Sequence, residues 1–176
     1  MAVNPFDGAY ERVRSVEAVS ARRRFENLLA RHERRLRRVA FGMLGDPHRV
    51  DDVLQDAFVR AYRSLPARFE SEGHEAAWLY RIVHRTCLNE LRARRRRRET
   101  TGLPDDLADL RGVTADSAAI VAALAQLSVD ARAVVLLVDV VGLDYETVAS
   151  ALHVPRGTVA SRLSSARSAL RELLDV

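Results

Sequence analysis

From Phe25 onward, apolar residues recur at three- and four-residue intervals. Phe25, Leu28, Leu29, Leu36, Val39, Ala40 and Met43 would line one face of a helix. Gly45-Asp46-Pro47 stops that helix and starts the next, with proline at a tolerated early position. Val50, Val53, Leu54, Ala57, Phe58, Ala61 and Leu65 give a second stripe, ended by Pro66. A polar loop over 67–74 leads to a third helix over about 75–97. Residues 1–21 show no sustained period and are expected to form a mobile tail.

Residues 99–117 carry glycine, proline and aspartates with weak periodicity, which marks a flexible acidic linker, bounded at 98–116. Helical spacing then resumes. Ile120, Ala123, Leu124 and Leu127 mark one helix. Ser128 can cap the next, which carries Val134, Val135, Leu137, Val138 and Val141 and closes at Gly142. Asp144 can cap a short helix through Leu152, and a last helix follows Pro155 and runs to Leu174. No strand pattern of useful length and no repeat interrupts this series. The expected fold is all-α, in two small helical domains over 22–97 and 117–176.

Charge divides the chain at the same place. All 28 basic residues are arginine, and the net charge is +4. Residues 1–100 hold 22 arginines against 14 acids, whereas residues 101–176 hold 6 against 10. The first part is therefore the better suited to a polyanion. One cysteine, Cys87, excludes an internal disulfide framework and a cysteine-based zinc site. The start shows no signal-peptide pattern, and no apolar run reaches the eighteen or so residues of a membrane helix. These features lead to the expectation of a cytoplasmic protein.

Three surfaces then stand out. On the third helix, Arg81, Arg85, Arg92 and Arg96 fall within an arc of roughly 60°, with Trp78 at its N-terminal end and an arginine cluster through Arg98 beyond. Such a stripe can follow a phosphate backbone while the aromatic stacks on bases; a solvated surface helix is the alternative. On the second helix, Asp52, Gln55, Asp56, Val59 and Arg63 lie opposite the apolar stripe, a mixed patch suited to protein docking, though polar outer faces are common. At the C-terminus, two helices separated by a tight turn have helix-turn-helix proportions, or those of an ordinary helical hairpin. Val148, Ala149 and Leu152 would pack on Val159, Leu163 and Ala166, leaving Ser161, Ser164, Ser165 and Ser168 exposed, with Ala160, Arg167 and Arg171 at one edge.

Catalysis finds little support. The five histidines are scattered, and neither a phosphate-binding glycine loop nor a nucleophile motif occurs. No cofactor, no metal site and no enzymatic activity are expected.

The motifs, in this order, resemble the extracytoplasmic-function (ECF) group of sigma-70 family RNA polymerase sigma factors. Asp52-Val-Leu-Gln55-Asp56-Ala-Phe58-Val-Arg60-Ala-Tyr62 is similar to the group's region 2.2 helix. Ala77-Trp78-Leu79-Tyr80-Arg81-Ile82, with Leu91-Arg92 and the arginine run, resembles regions 2.3 and 2.4. Gly142-Leu143-Asp144-Tyr145-Glu146-Thr147-Val148-Ala149 and Pro155-Arg156-Gly157-Thr158-Val159-Ala160-Ser161-Arg162-Leu163 resemble region 4.2.

The resemblance implies an alternative sigma factor that binds core RNA polymerase, at its clamp helices and flap, and directs it to promoters. The sigma-2 domain (22–97) would dock through Asp52, Gln55, Asp56, Val59 and Arg63. It would bind and help melt the −10 element with Phe69, Ser71, Glu72 and His74 of the loop, together with Trp78, Arg81, Arg85, Arg92 and Arg96. The sigma-4 domain (117–176) would read the −35 element with Arg156, Thr158, Ala160, Ser161, Arg162, Ser164, Ser165 and Arg167. Small residues at positions 160, 164 and 165 depart from the family pattern and shift the expected readout toward phosphate contacts and DNA shape. A cognate anti-sigma factor is implied by membership alone. A stand-alone helix-turn-helix regulator accounts for 144–174 but not for the second and third helices, and a regulator that merely uses basic surfaces is a further alternative.

Overall fold

A computed structural model describes residues 7–101 and 114–174. Their secondary structure is helical throughout: α1 Asp7–Leu44, α2 Pro47–Arg63, α3 Glu72–Thr101, α4 Ala115–Gln126, α5 Val129–Val135 continuing into a π-helical segment Leu136–Val140, α6 Tyr145–Leu152 and α7 Arg156–Leu174. The all-α expectation holds among the described residues.

α1, α2 and α3 form the first unit. Leu28, Leu36, Val39 and Met43 of α1 are buried against Val50, Leu54 and Ala57 of α2 and Leu79, Tyr80 and Val83 of α3. α1 ends at Gly45, whose φ of +70° is the left-handed conformation that closes helices and costs a residue with a Cβ. Asp46 then starts α2: its Oδ1 accepts from the amides of His48 (3.0 Å) and Arg49 (3.3 Å).

The second unit holds α4 to α7. Thr114 and Ser128 cap α4 and α5 through their hydroxyls. The Val141 amide reaches Leu136 O at 3.1 Å, five residues back, which defines the π-helical segment. Gly142 (φ +82°) ends it. Asp144 caps α6 by accepting from the Thr147 amide at 2.8 Å, and His153 makes the turn to α7 in the left-handed region (φ 54°). Val148 and Ala149 are buried on Val159, Leu163 and Ala166, as the spacing predicts.

Four boundaries differ from the sequence expectation. α1 reaches back to Asp7, so most of the stretch read as a tail is helical; alanine, glutamate and arginine favour helix without any apolar stripe. Residues 1–6 of that stretch lie outside the described residues. α3 begins at Glu72, which takes Glu72, Gly73 and His74 out of the loop, and runs on to Thr101. The linker accordingly narrows, and 102–113 lie outside the described residues. Ile120 is 49% exposed, because Ala123, Leu124 and Leu127 carry the buried face of α4.

The two units share one core. α4, α5 and the π-helical segment pack on α1, and α6 packs along the first half of α3. Polar contacts cross the same joint: Arg132 Nη1 donates to Met43 O (2.7 Å) and Arg81 Nη2 to Ser150 O (2.8 Å).

Candidate nucleic-acid and protein interfaces

α2 buries Val50, Val53, Leu54, Ala57 and Ala61, and this turns Asp52, Gln55, Asp56, Val59 and Arg63 to solvent. Asp52, Gln55, Asp56 and Val59 line one wall of an open groove of about 830 Å³. The other wall belongs to α3 and includes Thr86, Asn89, Ala93, Arg96 and Arg97. Val59, 49% exposed, is an apolar point one turn beyond Asp56 on the same face, an arrangement suited to a helical protein partner. Arg63 lies on the far side, in a neighbouring groove.

The arginine stripe of α3 shares one helix face but meets three surroundings. Arg81 is half-buried beneath α6, with Nη2 bonded to Ser150 O. Arg85 and Arg92 are exposed and line a basic groove with Arg60, Arg63, Ser64 and Asn89. Arg96 opens onto the α2–α3 groove beside Asp52 and Asp56. Periodicity identifies a common face; it contains no information about what covers each part of it.

The loop before α3 stands on an aromatic pair. Phe69 and Trp78 have ring centroids 5.3 Å apart with planes tilted by 56°. Beside them is a groove of about 440 Å³ lined by Arg24, Asn27, Arg31, Arg68, Phe69, Ser71, Glu72 and Glu75, among others. Ser71 caps α3: its Oγ accepts from the His74 amide at 3.2 Å, which leaves the hydroxyl proton free to donate. Arg24 donates to Pro66 O (2.9 Å) and Arg31 to Glu75 Oε1 (2.6 Å), so both basic side chains are aimed across the groove. Arg24, Asn27 and Arg31 are not among the residues expected from sequence. They sit on the polar side of α1, where apolar spacing carries no signal. His74 points to Glu70, its Nδ1 3.2 Å from Oε2.

On α7, Arg156, Ala160, Ser161, Ser164 and Ser165 are exposed and Thr158 is half-buried. Ser161 Oγ donates to Thr158 O at 3.2 Å. Two of the expected phosphate ligands are already engaged within the unit. Arg162 pairs with Asp130 of α5 at 2.9 Å, and Arg167 with Asp139 of the π-helical segment. Those pairs hold both guanidinium groups on carboxylates of the same unit.

Two titratable groups are shifted by their surroundings. Burial lowers the His84 imidazole from its ordinary 6.5; Asp130 opposes the shift and Arg92 adds to it. Hydrogen bonds from the Thr147 amide and hydroxyl hold the Asp144 carboxyl below its ordinary value. Among the described residues no cluster of histidine, cysteine and carboxylate side chains could hold a metal ion, and no helix is long and apolar enough to cross a membrane.

Comparison with known proteins gives a consistent outcome. The family model for sigma-70 region 2 matches residues 28–97, and that for sigma-70 region 4 matches 117–170. The chain is 35% identical over 175 residues to the ECF RNA polymerase sigma factor SigM of Mycobacterium tuberculosis, covering 96% of this chain and 88% of that one. It is 30% identical over 169 residues to the RNA polymerase sigma-H factor of Pseudomonas aeruginosa, covering 87% of each. Among solved structures, the sigma factor RpoE in complex with the anti-sigma factor NepR from Bartonella quintana superposes with a TM-score of 0.74 at 26% identity, covering 86% of this chain and 97% of that one. CnrH in complex with the cytosolic domain of CnrY gives a TM-score of 0.69 at 29% identity, covering 91% of this chain and 96% of that one.

Proposed function

Because the chain belongs to the extracytoplasmic-function group of sigma-70 family RNA polymerase sigma factors, we propose a division of labour among its surfaces. As a member it is an alternative sigma factor: it binds core RNA polymerase and directs promoter-specific initiation. The proposal concerns which residues carry each step.

Polymerase docking falls to Asp52, Gln55, Asp56 and Val59, with Arg63 at the margin. The groove between α2 and α3, where Asp52, Asp56 and exposed Val59 lie among Arg49, Arg60, Arg96 and Arg97, is the observation that carries this reading. A helix of mixed charge seated there would satisfy both walls. The −10 element is assigned to the Phe69–Trp78 platform with Ser71, and to Arg85 and Arg92. Bases of a melted strand can stack on aromatics while guanidinium groups follow the phosphates. Arg24 and Arg31 join this site across the loop groove. Arg81 contributes only once α6 leaves it. Glu72 and His74, in the first turn of α3, frame the platform, and Arg96 belongs to the docking groove instead.

The −35 element is assigned to the exposed face of α7: Arg156, Ala160, Ser161, Ser164 and Ser165, with Thr158 near the helix start. Small side chains let the helix approach the base edges closely, and Arg156 supplies a phosphate contact. Arg162 and Arg167 contact phosphate only by exchanging their carboxylate partners. The units are bounded at 22–97 and 117–176, which the two regional matches support. An anti-sigma factor is the expected regulator, supported by likeness over most of the chain to the sigma factor RpoE, solved in complex with the anti-sigma factor NepR. The reading also places the protein in the cytoplasm, as a regulator without catalytic activity.

Run-off transcription with purified core polymerase on genomic fragments tests the assignment. Start sites should lie downstream of a shared pair of −10 and −35 sequences. Dimeric operator binding that core polymerase does not alter would overturn it.

A further inference from the structure

The groove between α2 and α3 has one end that its assigned residues do not explain. There Glu90 of α3 accepts, on the single oxygen Oε1, from guanidinium groups of two helices. Arg49 of α2 donates through Nη1 at 2.5 Å, and Arg97, seven residues further along α3, donates through Nη2 at 2.9 Å. Arg49 also donates through Nε to Asp46 Oδ2 (3.1 Å), while Asp46 Oδ1 caps α2. Exposure rises along this series: the Asp46 side chain is 13% exposed, that of Glu90 22% and that of Arg97 56%.

The inner end of the series ties the first turn of α2 to α3, and the outer end stands in the groove, which Arg49, Glu90 and Arg97 all line. The α2 wall runs Arg49, Asp52, Asp56, Val59, so its basic end is the end at which Glu90 holds Arg97. An arginine on a surface helix samples many rotamers, and each one fixed on binding is affinity lost. A carboxylate that fixes the side chain beforehand removes that loss.

We propose that Glu90 is a positioning residue for polymerase docking, an inference that rests on the docking reading of this groove. Glu90 holds Arg97 at the basic end of the groove, where Arg97 receives an acidic side chain of the docking helix. Glu90 acts through its two arms rather than by touching the polymerase. The Arg49 arm joins α2 to α3 and is felt in folding stability. The Arg97 arm aims one cation and is felt in binding.

The test is competition of full-chain variants against labelled parent for core polymerase, with thermal unfolding measured beside it. Glu90→Gln should compete about fivefold less well at low salt, and the deficit should shrink as salt is raised. Arg97→Gln should lose as much, and adding Glu90→Gln to it should lose nothing further. The thermal midpoint should fall with Glu90→Gln in both backgrounds, because Arg49 loses its acceptor in each. If Glu90 were only structural, its docking deficit would be the same with Arg97 present and with Arg97→Gln; that result overturns the proposal. Full competition by Arg97→Gln, a change at an exposed position that leaves the fold intact, overturns it as well. Val59→Asp is the reference. If Val59→Asp fails to compete while Glu90→Gln competes fully, the positioning role falls and the docking reading stands; if both compete fully, the two fall together.

Discussion

Arg167 on α7 is gripped by both carboxylate oxygens of Asp139, its Nε 3.1 Å from Oδ2 and its Nη2 2.5 Å from Oδ1. Asp139 lies in the π-helical segment, where the widened turn alters the register of the helix preceding Gly142. The pair links the helix assigned to DNA with the helix behind it. Both side chains remain partly exposed, so the pair is screened and exchangeable.

Asp139→Asn should therefore free Arg167 for phosphate. Binding of the polymerase holoenzyme to promoter DNA should tighten at low salt. The slope of log affinity against log salt should steepen by about one, the signature of one added phosphate contact. An unchanged slope would mean that Arg167 only braces the helix.

Asp144 supplies the start of α6. Its carboxylate accepts from the Thr147 amide (2.8 Å) and hydroxyl (2.7 Å). These bonds favour the charged form and lower its pKa in the folded chain. The stability they contribute is present above the ordinary value of 3.8 and is lost as pH falls through the lower folded value. Asp144→Ala should cost about 1 kcal/mol in urea denaturation at neutral pH. Asp144→Asn should keep most of the cap and remove its share of the acid sensitivity.

Much of the architecture was legible from apolar spacing, because a helix that buries one face writes a 3.6-residue period. The caps at Ser128 and Asp144 were legible for a local reason: each acts within three residues of itself. What spacing does not encode is which buried faces meet. Leu136 and Leu36 look alike in sequence, yet one seats on Gly42 across the joint between units. The covering of Arg81 by α6 and the pairing of Arg162 and Arg167 are long-range facts of the same kind. The π-helical segment was hidden because its run Leu-Leu-Val-Asp-Val is apolar on nearly every side.

Tyr80 and His84 place polar atoms in the first unit's interior without partners. The Tyr80 hydroxyl is buried and unbonded, and burial pushes its pKa up to about 12. Tyr80→Phe removes that desolvated group while keeping the ring against His32, so stability should rise by up to about 1 kcal/mol. His84 Nε2 is likewise unpartnered, and burial disfavours the imidazolium. Its folded pKa lies below the unfolded 6.5, so the unfolded chain takes up the proton first. Stability should fall as pH drops through 6.5 toward the folded value, and His84→Gln should flatten that fall in urea titrations at pH 7 and pH 5.

The docking groove makes the last prediction. Val59 is exposed on the same face as Asp52, Gln55 and Asp56, and its removal leaves the α2 core untouched, because Val53, Leu54 and Ala57 face inward. An interface centred on a small apolar point loses affinity steeply when a charge is placed there, since the charge must be desolvated without a partner. Val59→Asp should weaken competition for core polymerase by about tenfold or more, roughly 1.4 kcal/mol. Asp56→Arg should do the same by reversing charge beside Arg60, its neighbour at 3.5 Å. Helicity and thermal midpoint should stay at the parent's values in both variants. Full competition by both would move the polymerase contact elsewhere on the chain, with Arg63 and the basic groove along Arg85 and Arg92 the surfaces left to carry it.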